Sequence, residues 1–146
     1  NSYGFAKDSL CKQLLSLKLK KHFNFTWARL FYMFGSGQSE TSLFPSLVRA
    51  VQNGDSKFKM SSGEQIRDFL PVEAVAKRLV NIALKSPNAG IVNICSGNPI
   101  SVKGLVEGWL LEYDWNIDIE YGVYPIPDYE PLAFWGVNEK SVIDLE

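Results

Sequence analysis

The stretch over residues 24–34 constrains the fold most, because Phe25, Trp27, Leu30, Phe31, Tyr32 and Phe34 make it almost continuously aromatic and apolar. A strand with one wet face alternates apolar and polar side chains. A strand that is apolar on both faces must be covered on both, as in a parallel sheet packed between helices. The rest of the chain supplies candidates for those helices. Leu10, Leu14, Leu15, Leu17 and Leu19 set among lysines predict a helix over about 2–21. Residues 43–52, followed by Asn53-Gly54, have helical periodicity and a C-terminal glycine. Val75, Leu79, Val80, Ile82 and Ala83 outline an amphipathic helix over 73–85, with Pro71 at or just before its first turn. Ser101 suits the N-cap of a helix over about 102–113, whose buried stripe is Leu105, Val106, Trp109 and Leu110. Short strands are expected at 58–60, 90–95 and 117–121, and the proline-rich stretch beyond 124 is expected to lie extended over the body. Helices alternating with strands give an α/β fold.

Composition removes several function classes. With 146 residues, 46% of them hydrophobic, the chain has the size and apolar content of one globular domain. A net charge of -1 offers no electrostatic reason to expect nucleic acid or an anionic membrane as partner. Lys18, Lys20, Lys21 and His22 read as a solvated helix end. Two cysteines, Cys11 and Cys95, cannot build a disulfide framework and point to a reducing, cytoplasmic compartment. The single His22 leaves no Ser/His/Asp constellation and no zinc set, so no metal site is expected. No apolar run reaches membrane-spanning length.

Chemistry enters at Tyr3 and Lys7. Residues at i and i+4 share a helical face, so a phenol and an ammonium can meet one ligand there. A neighbouring cation favours the phenolate, which suits the pair to exchanging a proton with an alcohol. A plain surface pair on a helix is the alternative. The proton-exchange reading requires Tyr3 to face a pocket at the neighbouring strand ends.

Four blocks in order carry a resemblance: Tyr3-Gly-Phe-Ala-Lys7, then 28–35 (Ala-Arg-Leu-Phe-Tyr-Met-Phe-Gly), then 63–72 around Arg67-Asp68-Phe69, then 92–97 with Ser101. Together they resemble the extended short-chain dehydrogenase/reductase family, which includes nucleotide-sugar epimerases, dehydratases and ketoreductases. The resemblance implies a Rossmann-like α/β fold with a small substrate-binding subdomain, and NAD or NADP as cofactor. It implies that Tyr3 exchanges the proton while Lys7 holds the nicotinamide ribose, and that Leu30 and Phe31 back the nicotinamide. Arg67 is similar to the arginine that grips the substrate diphosphate, a task suited to a planar, permanently charged fork. A structural ion pair is the other reading of Arg67, and Asp68 would hold either Arg67 or the next helix. Tyr32 stands where the family has an asparagine, so it either shapes the sugar pocket or packs in the core. Leu43, within Ser42-Leu-Phe-Pro45, and Phe58 and Met60 correspond to residues around the nucleotide, and equally suit a core. The tail lacks the arginine that the family often carries there, since Pro125-Ile-Pro127-Asp128 has none.

The resemblance also sets an expectation about extent. The only Gly-x-Gly is Gly35-Ser-Gly37, which lacks the third glycine of a dinucleotide fingerprint and reads as a loop. Residues 1–146 are therefore expected to be a fragment without the glycine-rich cofactor half. About 1–36, with later returning elements, would end the dinucleotide-binding domain, and the rest would form the substrate-binding subdomain. The expected activity of the intact protein is NAD(P)-dependent modification of a nucleotide sugar by a 4-ketoreductase, epimerase or 4,6-dehydratase, in polysaccharide biosynthesis. A non-catalytic dinucleotide-sensing or scaffold protein of the same fold is the alternative. The fragment alone would be inactive, its partners being the missing half, a nucleotide-sugar substrate and a second copy joined through the Tyr3 helix.

Overall fold

The computed structural model describes residues 2–137 and has a mixed α/β fold. In chain order it consists of α1 (Ser2–Lys20), β1 (Thr26–Leu30), β2 (Tyr32–Phe34), α2 (Leu43–Asn53), β3 (Lys57–Lys59), β4 (Ile66–Arg67) and β5 (Phe69–Pro71). Then follow α3 (Val72–Lys85), β6 (Gly90–Ile94), β7 (Ile100–Ser101), α4 (Val102–Glu112), β8 (Asp118–Glu120) and β9 (Ala133–Phe134). The domain range anticipated from the sequence runs to residue 146, past the described residues.

The expected aromatic strand is present but interrupted. β1 pairs in parallel with β6, and β2 pairs in parallel with β5, so the chain changes partner at Phe31. The Phe31 N–H still donates to Ile94 O at 3.2 Å, which closes the first ladder before the second begins. Coverage on both faces holds at Met33 and Phe34. Met33 packs on the cluster of Leu70, Val75, Ile82, Val92 and Ile94, while the adjacent Phe34 packs on the cluster of Leu47, Ala50, Met60, Val106, Trp109 and Ile117. Period-2 alternation thus makes β2 the wall shared by two cores. Leu30 is 45% exposed and Tyr32 40%, so the prediction of a fully covered strand fails at those two positions.

Local signals fix the helices. Gly54 adopts φ 73°, and its N–H meets Ala50 O and Val51 O, satisfying carbonyls that α2 leaves unpaired. Ser101 Oγ accepts from Gly104 N at 3.0 Å and caps α4. Pro71 occupies the N-cap position of α3 without a side-chain cap, at a place where the helix would leave its N–H unpaired. α1 differs from the others, because among its side chains only Cys11 is buried and Leu10, Leu17 and Leu19 are exposed. The tail is non-helical as expected, but it is not extended throughout, since Glu130 N–H donates to Pro127 O at 2.9 Å across a turn. β9 pairs in parallel with β4, which pairs antiparallel with β7.

Candidate active site

Four of the residues singled out by sequence lie near Phe31, where the chain passes from β1 to β2 and its pairing partner changes from β6 to β5. Tyr32 lies opposite Phe69, with ring centroids 5.6 Å apart, and the Arg67 guanidinium stands 5.5 Å from the Tyr32 ring centroid. Leu30 ends β1 beside Ile94. The Phe31 ring stacks on Phe134 at 5.3 Å and 17°.

Arg67 is 1% exposed. Its Nη2 donates to Glu130 Oε1 at 2.8 Å, and its Nη1 donates to Ile66 O at 2.8 Å and to Leu132 O at 3.3 Å. Burial pulls its pKa down, but hydrogen bonds and charge from Glu130 and Tyr32 outweigh that and the net direction is upward. The ion pair is therefore made with Glu130, not Asp68. Asp68 is buried and accepts from Ser96 N at 2.5 Å and Gly97 N at 2.9 Å, which corrects the expectation that it holds Arg67 or α3. Its carboxylate takes two backbone donors from the loop after β6, a task that the spacing of residues did not disclose.

Tyr3 and Lys7 lie on one face of α1, with Lys7 Nζ 5.5 Å from the Tyr3 ring centroid. Tyr3 is 70% exposed, so within this chain it does not face a pocket at the strand ends as the sequence reading required. Leu43 and Phe58 pack against the core cluster that contains Met60, and Met60 is itself buried. All three side chains thus stand in the core, the second of the two places their apolar character allowed. The main chain of Met60 accepts from Val123 N at 2.9 Å, binding the start of the tail to this cluster.

Sequence reasoning missed the tail as a site element. From Glu130 to Val137 it reaches Arg67, stacks Phe134 on Phe31, and accepts Asn93 Nδ2 at Val137 O at 3.0 Å. The signal available was a pair of carboxylates, Asp128 and Glu130, in an aromatic, proline-rich stretch. A cavity of about 320 Å³ opens where β2 ends, against Gly35, Ser36, Phe44, Pro71 and Glu73. Gly35 adopts φ 135° there, and a Cβ on it would stand 2.8 Å from Val72 Cγ1, so the loop passes α3 too closely for a side chain. None of the nine residues proposed from sequence lines this cavity.

Cys95 is buried at the end of β6, and its thiol pKa is raised, first by burial and then by the charge of Asp68. It is a packing residue, not a nucleophile. Among the described residues, no helix is long and apolar enough to cross a membrane.

Over 139 residues the chain is 29% identical to the dTDP-6-deoxy-L-talose 4-dehydrogenase (NAD(+)) of Aggregatibacter actinomycetemcomitans, an alignment covering 94% of this chain and 51% of the relative. The chain therefore spans about half the length of the curated relative it matches. The UDP-N-acetylglucosamine 4-epimerase of Methanobrevibacter ruminantium M1, solved with UDP-N-acetylmuramic acid, superposes with TM-score 0.76 at 25% identity, covering 90% of this chain and 43% of that one. RMD from Pseudomonas aeruginosa, solved with NADPH, superposes with TM-score 0.78 over 94% of this chain and 47% of that one, and at 20% identity it speaks to the fold. A sequence model of the NAD dependent epimerase/dehydratase family matches residues 1–95, from α1 through β6, and the chain belongs to that family.

Proposed function

We propose that the complete protein is an NAD- or NADP-dependent enzyme that acts on a nucleotide sugar, as a 4-ketoreductase, 4-epimerase or 4,6-dehydratase. The observation that carries this reading is the family match over 1–95, which includes the Tyr3/Lys7 face of α1. The chain's donor set fits the cofactor: a phenol and an ammonium for ribose hydroxyls, and for a flat ring the exposed Leu30 beside Phe31, one face of whose ring is taken by Phe134. Bound NAD or NADP would accept or return a hydride at the sugar carbon. Tyr3 would take the proton from the sugar oxygen or give it back, and Lys7 would hold the ribose and favour the phenolate. Arg67 would hold the substrate diphosphate, in exchange for or alongside Glu130. These roles require the rest of the complete protein to cover Tyr3, and a second copy is proposed to pack on α1.

The exposure of Tyr3 favours one competing reading, a protein of this fold that binds ligands without turnover. One substitution separates the two. Tyr3→Phe in the complete protein should lower turnover of UDP- or dTDP-sugars by about 10²- to 10⁴-fold while NAD binding persists. Turnover equal to wild type would remove the proton-transfer role, and a wild type that binds but never turns over would establish the competing reading.

A further inference from the structure

β4 and the residues leading into it alternate strictly: Gly63, Gln65 and Arg67 are buried, while Glu64 and Ile66 are exposed. Gln65 and Arg67 therefore leave the same face of the chain, about 6.6 Å apart along an extended backbone. Gln65 is 6% exposed, and its Oε1 is buried with no hydrogen-bond partner among the described residues. Its backbone is fixed, since Gln65 O accepts from Val102 N and Gly63 O from Lys103 N, each at 2.9 Å, so the side chain departs from a set position. A buried carboxamide oxygen without a partner is less favourable than an apolar side chain of the same shape. The face it shares carries Arg67, and beside Arg67 lie Tyr32 and Glu130.

We propose that Gln65 is a further substrate-binding residue, whose carboxamide hydrogen-bonds a sugar hydroxyl adjoining the diphosphate held by Arg67. This rests on the nucleotide-sugar reading above. The spacing supports the assignment, because two residues of strand span about the distance from a phosphate to a hydroxyl on the ring it esterifies. The hydroxyl belongs either to the ribose or to the hexose, two ends with the same hydrogen-bonding chemistry.

Calorimetry on the complete protein tests it with three probes: pyrophosphate, the diphosphates UDP and dTDP, and their glucose conjugates. Gln65→Met keeps the volume and removes the amide. It should weaken nucleotide binding about tenfold, leave pyrophosphate affinity unchanged, and leave Tm unchanged or higher. Loss already seen with the diphosphates assigns the contact to ribose, and loss confined to the conjugates assigns it to the hexose. Unchanged nucleotide affinity would overturn the proposal, and so would an equal loss for pyrophosphate, which would mean that Gln65 acts through Arg67. Gln65→Asn, which withdraws the amide by one methylene, gives the same readings if the methionine variant does not fold. Arg67→Ala measured in parallel separates the two claims. Pyrophosphate affinity that survives Arg67→Ala removes the diphosphate site itself, whereas its loss beside a silent Gln65→Met removes only the present inference.

Discussion

A guanidinium that is 1% exposed cannot be left without an anion, because removing one partner of a buried pair strands the other charge in a poor solvent. Glu130 is that anion here, and it stands 63 residues along the chain from Arg67. Glu130→Gln keeps the shape and a weaker acceptor but removes the charge, so the folded protein should lose about 1–2 kcal/mol, read as a lower Tm of the complete protein without ligand. An unchanged Tm would mean that the pair does not hold in solution. That Arg67 forms either a phosphate contact or an ion pair was legible in sequence, because it sits in a recognisable block and a guanidinium has few plausible tasks; the structure shows the ion pair. Glu130 was not, since a long-range ion pair leaves no periodicity in the chain. The same limit hid the two backbone donors of Asp68, which belong to the loop after β6.

At the scale of elements, what is local was readable and what is paired at a distance was not. The C-terminal glycine of α2, the serine cap of α4 and the proline before α3 each act within one turn, and each helix starts or stops close to where those residues predict. The two-residue strands β4, β7 and β9 exist only through one another, and nothing in residues 66–67, 100–101 or 133–134 announces that. The break at Phe31 has the same origin, because the change of partner from β6 to β5 is a tertiary event within an unbroken apolar run. α1 buries Cys11 alone among its side chains. Leu10 and Leu17 are seven residues apart, hence on one face, and both are exposed. If that face packs on a second copy, the complete protein should sediment at twice its chain mass, and Leu10→Glu with Leu17→Glu should halve it. A dimer indifferent to both charges would place the interface elsewhere.

Across the whole molecule, two cores meet at β2 and the tail links back to both. Met60 O receives Val123 N at the edge of the α2/α4 core, and Gly136 lies against Cys95 at the end of the strand packed on α3. The second contact is tight enough to test the arrangement. A Cβ at Gly136 would come within 2.4 Å of Cys95 Sγ, 2.5 Å of Cys95 Cβ and 3.0 Å of Phe31 Cζ. Cys95 is fully buried and has no room to retreat, so the strain must fall on the tail. Gly136→Ala should therefore lift residues 130–137 together, loosening the Phe134/Phe31 stack, the Asn93 bond to Val137 and the Arg67–Glu130 pair. Overpacking of this kind costs about 1–3 kcal/mol. The expected result is a lower Tm, with amide exchange accelerated at Ile66, whose N–H donates to Leu132 O at 2.8 Å, and unchanged at Ile82 in the α3 core. Equal protection of Ile66 in the variant and the wild type would mean that the tail is not seated on β4, and that Arg67 meets solvent or ligand without Glu130 in between.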